Sequence, residues 1–276
     1  MKADFEGACA VVTGAGSGIG KLIAKKLASG GARVAAWDIN GPAARETVKE
    51  ITDVGGESAA FQVDCGDFGQ VLKAAKSSMK FLGRLNILVN DAGIVAGKSF
   101  EELTETEVEK VFRVNSLSLF WTNKAFLEHL KKSKRSISVT VASAAGLIGS
   151  ARLTAYSASK FAAVGFTCAL RNELKKEKCA VKTLLVCPFY IGTGMFEGVK
   201  SKFPALLPIL KPETVADKIV EAIKAGKERL VLPPFAALAG FIANAPVPIA
   251  DRVENIFGIN SCMDEFVGRK KENDGI

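Results

Sequence analysis

"ACAVVTGAGSGIGKLIAKKLAS" spans residues 8–29 and changes character twice. Its opening, "ACAVVT" (8–13), is apolar or β-branched and reads as a strand. Glycines then stand at 14, 16, 18 and 20, and from about residue 18 apolar side chains recur at helical spacing. A strand running straight into a glycine-rich turn and a helix offers free N–H groups and the positive end of the helix dipole to an anion. Glycines there let backbone approach a diphosphate closely. Gly14, Ser17, Gly18, Ile19 and Gly20 are therefore candidate cofactor contacts. The spacing fits T-G-x-x-x-G-x-G rather than G-x-G-x-x-G, because Ile19 occupies the slot of the latter's last glycine. Strand, turn and helix in this order point to a dinucleotide site.

The same alternation continues outward. Strands are expected at 8–13, 33–38, 58–64, 85–90, 136–143, 181–187 and 228–233, and amphipathic helices near 18–29, 41–54, 67–82, 105–130, 155–178 and 212–225. Strands apolar on both faces, each followed by a helix, predict a parallel sheet covered on both sides: a doubly wound α/β fold of the Rossmann type. No repeat and no linker rich in Pro, Gly or Ser interrupts it. We expect one domain over 1–276, with a cofactor-binding and catalytic core at 1–194 and a substrate-binding C-terminal extension at 195–276.

Composition narrows the chemistry. With 48% hydrophobic residues the 276-residue chain can bury a full core. The six cysteines are scattered without a C-x-x-C pair, which predicts buried thiols in a reducing compartment and neither a zinc site nor a disulfide frame. The single histidine, His129, precedes a basic turn, so no mechanism built on a histidine pair is expected. No metal ligand set stands out. The start "MKADFEGACAVVTG" has no apolar h-region, and a cytoplasmic protein is expected. A formal charge of +8 raises nucleic acid or an anionic surface as a partner. The basic residues are dispersed, however, with only "KKSKR" (131–135), "KKEK" (175–178) and "GRKK" (268–271) as clusters and no interleaved aromatics. Solvated helix ends, not nucleic acid, are the expected reading.

Asp38 closes the second expected strand, where a carboxylate would accept from the adenosine ribose hydroxyls and repel a 2′-phosphate. No basic residue follows in "DINGPAAR" until Arg45, so NAD is favoured over NADP; capping of the turn "DING" is the alternative role. Asp64 ends the third strand and could accept from the adenine amino group. In "LTAYSASKFAAVGF" (153–166), Tyr156 precedes Lys160 by four positions, about one helical turn, so phenol and ammonium leave one face. A buried tyrosine beside a snorkelling lysine would look the same.

The residues in this order resemble the classical short-chain dehydrogenases/reductases over nearly the whole chain. The glycine pattern at 14–20, Asp64, "NDAG" at 90–93, Asn115, Ser143, Tyr156 with Lys160, and Pro188 with Thr193 carry the likeness. "VASAAGLIG", "YSASKFAAVGF" and "LVCPFYIGTGMF" are similar to the branch of retinol dehydrogenases and 17β-hydroxysteroid dehydrogenases of lipid droplets and endoplasmic reticulum. The resemblance implies Tyr156 as general base or acid, and Ser143 bonded to the substrate oxygen. It also implies that Lys160 binds the nicotinamide ribose, and that Asn115 holds a water leading from Lys160 to solvent. Asn90, Ala92, Gly93, Pro188 and Thr193 would line the cofactor, Thr193 through the nicotinamide carboxamide. A phenol is a poor base at neutral pH, and a charge from Lys160 is expected to bring it down by about three units. Two departures stand out. Asp91 replaces the usual asparagine, and Phe189 replaces the glycine after Pro188, which should grease the nicotinamide end; Tyr190 is expected in the pocket wall.

"PPFAALAGFIANAPVPIA" (233–250) is uncharged and interrupted by Pro246 and Pro248, too short and broken for a transmembrane helix. It could be a monotopic patch, a lid or a dimer contact. With "MFEGVKSKFPALLP" (195–208) it would form a greasy substrate entrance. The expected function is NAD-dependent hydride transfer to or from a lipophilic alcohol, ketone or aldehyde such as a steroid, retinol or long-chain alcohol. An NADP-linked carbonyl reductase and a non-catalytic nucleotide-bound scaffold are the alternatives. A homo-oligomer, dimer or tetramer, is expected, with peripheral contact at an endoplasmic-reticulum or lipid-droplet surface open.

Overall fold

The computed structural model describes residues 4–268. Of "GRKK", positions 269–271 lie outside the described residues. Seven strands form one sheet: β1 (Cys9–Thr13), β2 (Arg33–Asp38), β3 (Ser58–Gln62), β4 (Ile87–Asn90), β5 (Ile137–Val141), β6 (Lys182–Pro188) and β7 (Arg229–Leu232). Their order is β3-β2-β1-β4-β5-β6-β7, and every pair is parallel. The chain therefore reverses its direction of travel across the sheet at β1 and β4, which opens a crevice beyond their carboxyl ends.

Alternating side chains of the strands feed two apolar layers. Ala10 and Val12 of β1 pack with Ile23 and Leu27 of α1 (Gly18–Ser29), Ile51 of α2 (Gly41–Thr52) and Ile219 of α7 (Pro212–Ala225). Cys9 and Val11 face the other way, toward Val71 of α3 (Phe68–Leu82), Phe126 of α5 (Ser118–Lys131) and Leu174 of α6 (Thr154–Lys176). Local signals fix the helix starts: the Asn40 side chain accepts from the Ala43 N–H at 3.1 Å, and Asp67 accepts from the Gln70 N–H at 3.0 Å. All six cysteines are free thiols. Basic clusters at helix ends are partly neutralised, as in Lys175 with Glu228 at 2.8 Å and Lys131 with Glu128 at 3.3 Å.

One expectation about helices needs correction. The helix expected over 105–130 is α4 (Glu105–Phe112), then a π turn at Arg113–Leu117, then α5. The break comes from buried side-chain bonds at Asn115 and Ser116 that pull this turn toward α6, a tertiary cause that periodicity does not register. The apolar tail is interrupted as expected, and its prolines also open a new helix. Pro246 is the N-cap and Pro248 lies in the first turn of α9 (Val247–Phe257), positions where a missing N–H costs nothing. A single-turn helix, α8 (Ala239–Ile242), and a 3₁₀ segment at Pro234–Leu238 precede it. Among the described residues no helix is long and apolar enough to cross a membrane.

Candidate active site

The predicted site residues gather along the carboxyl edge of the sheet. Thr13 ends β1, Asp38 β2, Asn90 β4 and Pro188 β6, while Asp64 and Ser143 lie two residues beyond β3 and β5. One cavity is lined by Gly14, Ser17, Gly18, Ile19, Asp38 and Asp64 at one end, and at the other by Ser143, Tyr156, Lys160, Pro188 and Thr193, with Asp91, Ala92 and Gly93 between.

The glycine turn is shaped for close approach. Gly14 and Gly18 have φ of 69° and 57°, and a Cβ on Gly16 would sit 2.8 Å from Asp38 Oδ2. A Cβ on Gly20 would collide with the Gly14 carbonyl, so Gly20 serves the packing of α1 onto β1 and lies outside the cavity wall, unlike the contact expected of it. The Asp38 carboxylate accepts from the Gly16 N–H at 2.8 Å and the Asn40 N–H at 2.9 Å. It thus caps the turn and also faces the cavity. Asp64 accepts from the Gly66 N–H at 2.8 Å.

The loop after β4 is tied to β1 through one hydroxyl. Thr13 Oγ1 accepts from the Asp91 N–H at 3.0 Å and the Ala92 N–H at 3.1 Å. Asn90, expected against the cofactor, turns into the sheet. Its Nδ2 donates to the Val139 carbonyl at 3.2 Å, and its Oδ1 accepts from Thr122 Oγ1 at 2.6 Å. Asn115 ties the loop after β4 to α6: Oδ1 accepts from the Ile94 N–H at 2.8 Å, and Nδ2 donates to the Ile94 carbonyl at 2.9 Å and Ser159 Oγ at 3.0 Å. Both of its donors are used, so the side chain braces this loop against α6. Ser159 Oγ passes the brace on to the Tyr156 carbonyl at 2.7 Å.

Tyr156 and Lys160 do share one face of α6. Lys160 Nζ lies 5.6 Å from the centre of the Tyr156 ring and donates to the Val141 carbonyl at 3.0 Å. Ser143 Oγ hydrogen-bonds the phenol and accepts from the Ala145 N–H at 3.1 Å. Phe196 meets the Tyr156 ring edge-on at 5.6 Å, and Phe189 and Tyr190 continue the aromatic wall.

Beyond the phenol the cavity is largely apolar, lined by Met195, Leu207, Phe235, Leu238, Ile242 and Phe257, with Glu254 as a charged residue in the wall. Phe235, Leu238 and Ile242 come from the apolar stretch 233–250, and Phe257 from the end of α9 just beyond it, a residue that the sequence reading did not single out. The signal was present in Ala250, Val253 and Phe257, spaced along one face of α9.

The family model for short chain dehydrogenases matches residues 8–203. The human epidermal retinol dehydrogenase 2 is 39% identical, with 96% of this chain and 87% of the relative covered. Estradiol 17-beta-dehydrogenase 11 of Mus musculus is 38% identical, with 86% and 79% covered. The chain belongs to the short-chain dehydrogenase family. Among solved structures, a short-chain dehydrogenase/reductase from Burkholderia phymatum in complex with NAD superposes with a TM-score of 0.77 at 26% identity, covering 94% of this chain and 97% of that one. This short-chain dehydrogenase is an oxidoreductase, and its sequence places it beside retinol and estradiol dehydrogenases.

The electrostatics of the site differ from expectation in one respect. Burial pushes the Tyr156 phenol well above its ordinary range, with the Ser143 hydrogen bond opposing and Asp91 adding to the rise. The Lys160 ammonium is itself desolvated and pushed down to about 8, with Asp91 acting against that fall, and it does not offset the rise at Tyr156. Among the described residues no cluster of His, Cys, Asp or Glu could hold a metal.

The Asn115 brace makes a stability prediction for this short-chain dehydrogenase. Asn115→Ala leaves both backbone groups of Ile94 and one side-chain partner without their bonds, and should cost about 2–3 kcal/mol. Urea unfolding measures it; a variant as stable as the parent would contradict the assignment of these three bonds.

Proposed function

We propose that this enzyme transfers hydride between NAD and a lipophilic alcohol or its carbonyl product, of the steroid, retinoid or long-chain class. The observation that carries the reading is the Ser143, Tyr156 and Lys160 set standing where the glycine cradle meets the apolar cavity. In this reading residues 1–194 bind cofactor and hold the catalytic groups, and 195–276 supply the substrate wall. Gly14, Ser17, Gly18 and Ile19 would hold the diphosphate, Asp38 the adenosine ribose, Asp64 the adenine, Ala92, Gly93 and Pro188 the cofactor's flank, and Thr193 its carboxamide. The bound nicotinamide supplies the hydride acceptor or donor. Ser143 Oγ donates to the substrate oxygen and steadies the charge that develops there. Tyr156 takes the hydroxyl proton in oxidation and returns it in reduction. Lys160 orients the ribose and favours the phenolate, while Asn115 acts as a positioning residue through Ile94 and Ser159.

Retinol and estradiol, for which these relatives are named, are both apolar bodies with a reacting hydroxyl, which suits the wall of Phe189, Phe196, Phe235 and Phe257. Two surface proposals accompany the reading. Leu117, Phe120 and Phe161 expose apolar surface around α5 and α6, which supports a homo-oligomer, dimer or tetramer. Phe241, Val247, Ile249 and Ile256 expose the outer side of the tail, with Lys202, Arg252 and Asp251 beside Ile256, and this apolar face supports peripheral contact of a cytoplasmic enzyme with an endoplasmic-reticulum or lipid-droplet surface.

Turnover of retinol, a steroid alcohol and a long-chain alcohol with NAD and with NADP tests the reading; no turnover of any would favour a nucleotide-bound scaffold. Tyr156→Phe should lower kcat by about a hundredfold or more and leave NADH binding little changed. Because burial raises the phenol, alcohol oxidation at saturating cofactor should keep gaining as pH rises above neutral, whereas carbonyl reduction, which needs the protonated phenol, should not. A flat oxidation profile would contradict Tyr156 as the base.

Cofactor choice is tested at Asp38. Asp38→Asn removes the charge and keeps an oxygen for Gly16 or Asn40, so the ratio of kcat/KM with NAD to that with NADP should fall about tenfold or more. A parent enzyme that already prefers NADP would overturn the NAD reading.

For the tail, flotation with anionic liposomes should show binding that weakens with salt and is reduced in Phe241→Glu. Protein that stays unbound at low salt would defeat the surface proposal and leave the dehydrogenase reading in place.

A further inference from the structure

Asp91 is the charged group between the glycine cradle and the catalytic residues that the reaction described above does not use. It follows β4, and its backbone N–H is pinned by Thr13 Oγ1 at 3.0 Å. Its carboxylate accepts from the Gly20 N–H in the first turn of α1, and a Cβ on Gly20 would lie 2.7 Å from Asp91 Oδ2. It also lines the cavity beside Gly14, Ser17, Gly18 and Ile19. A carboxylate and the diphosphate of a dinucleotide would therefore share the positive end of one helix. An asparagine there offers the same acceptor oxygen to Gly20 without the charge, so the packing does not explain the acid.

We propose that Asp91 takes up a proton from solvent when the dinucleotide binds, so that cofactor affinity falls as pH rises through neutrality. The proposal rests on the dinucleotide reading of the cradle. Two anions in a partly dry crevice repel, and protonating the weaker acid relieves the repulsion. The charged and titratable groups that face Asp91 are Lys160 and Tyr156 from α6 and Asp38 from the end of β2; β1 supplies the neutral Thr13 hydroxyl, and α1 the Gly20 N–H. Asp38 and the surrounding protein oppose the carboxylate, whereas Lys160 and Gly20 favour it. Desolvation dominates and pushes the carboxyl up to about 7, so the proton is available at working pH.

Lys160 titrates nearby, pushed down to about 8, and its loss of charge also weakens dinucleotide binding. The neutral variant separates the two. In the parent, the pair goes from one positive charge toward one negative charge as pH rises; in Asp91→Asn it goes from one positive charge to none.

The test is NADH binding to the full chain, followed by fluorescence without turnover. From about pH 6 to about pH 8.5 the parent Kd should rise about tenfold or more, and Asp91→Asn should bind comparably to the parent at the acid end but several-fold tighter at the alkaline end. Calorimetry at neutral pH in two buffers of different ionisation enthalpy should show proton uptake that shrinks in Asp91→Asn. Parallel pH curves for the two proteins, or weaker binding by Asp91→Asn at alkaline pH, would overturn the proposal while leaving the cofactor reading intact. Absence of NADH binding by either protein at any pH would overturn both.

Discussion

The floor of the site depends on how closely α1 approaches the junction of β1 and β4. Gly20 leaves no room for a side chain beside the Gly14 carbonyl, and a single hydroxyl, that of Thr13, holds the Asp91 and Ala92 N–H groups to the end of β1. This fixes the glycine turn, the helix N-terminus and the loop after β4 as one rigid unit. From Ile94 in that loop the support runs through Asn115 to Ser159 and so to the backbone of Tyr156. Cofactor cradle and phenol are thereby held in register by short hydrogen bonds rather than by the sheet alone. The π turn at Arg113–Leu117 is the local distortion that places Asn115 where it can do this.

Around that frame the charges are few and share one poorly solvated crevice. Asp38 serves the turn and the cavity together, because each oxygen of its carboxylate already accepts a backbone N–H. The expected choice between a cap and a ribose contact was therefore not a choice: a carboxylate has lone pairs enough for both. Tyr156, Lys160 and Asp91 are displaced from their ordinary ionisation in the directions that desolvation dictates, the acids up and the ammonium down. Asp91 acts on both Tyr156 and Lys160, and Lys160 acts back on Asp91, so the carboxylate links the two.

The tail shows how one segment can satisfy two environments. Phe235, Leu238, Ile242 and Phe257 turn toward the cavity, while Phe241, Val247, Ile249 and Ile256 lie on the outside. Short helices separated by prolines give this two-sided surface without a long continuous helix. The inner side continues the aromatic wall of Phe189 and Phe196, and links the substrate end to the catalytic edge of the sheet.

The period of apolar residues and the glycine turn at 14–20 determined the sheet, the order of its elements and the strand ends on which Asp38 and Pro188 sit, because those signals are local and repeat along the chain. Tyr156 and Lys160 were legible for the same reason, being one turn apart on one helix. What only the tertiary structure decided is long-range. The packing of Gly20 and the bonds of Asn90 and Asn115 are of this kind, since their partners at Gly14, Val139, Thr122, Ile94 and Ser159 come from other elements. Pro246 and Pro248 start a helix as well as ending a segment, which depends on whether the residues after them find a surface to pack on. The ionisation of Tyr156 follows from how much water the assembled walls exclude, a property of several elements closing on one point that no single stretch of sequence carries.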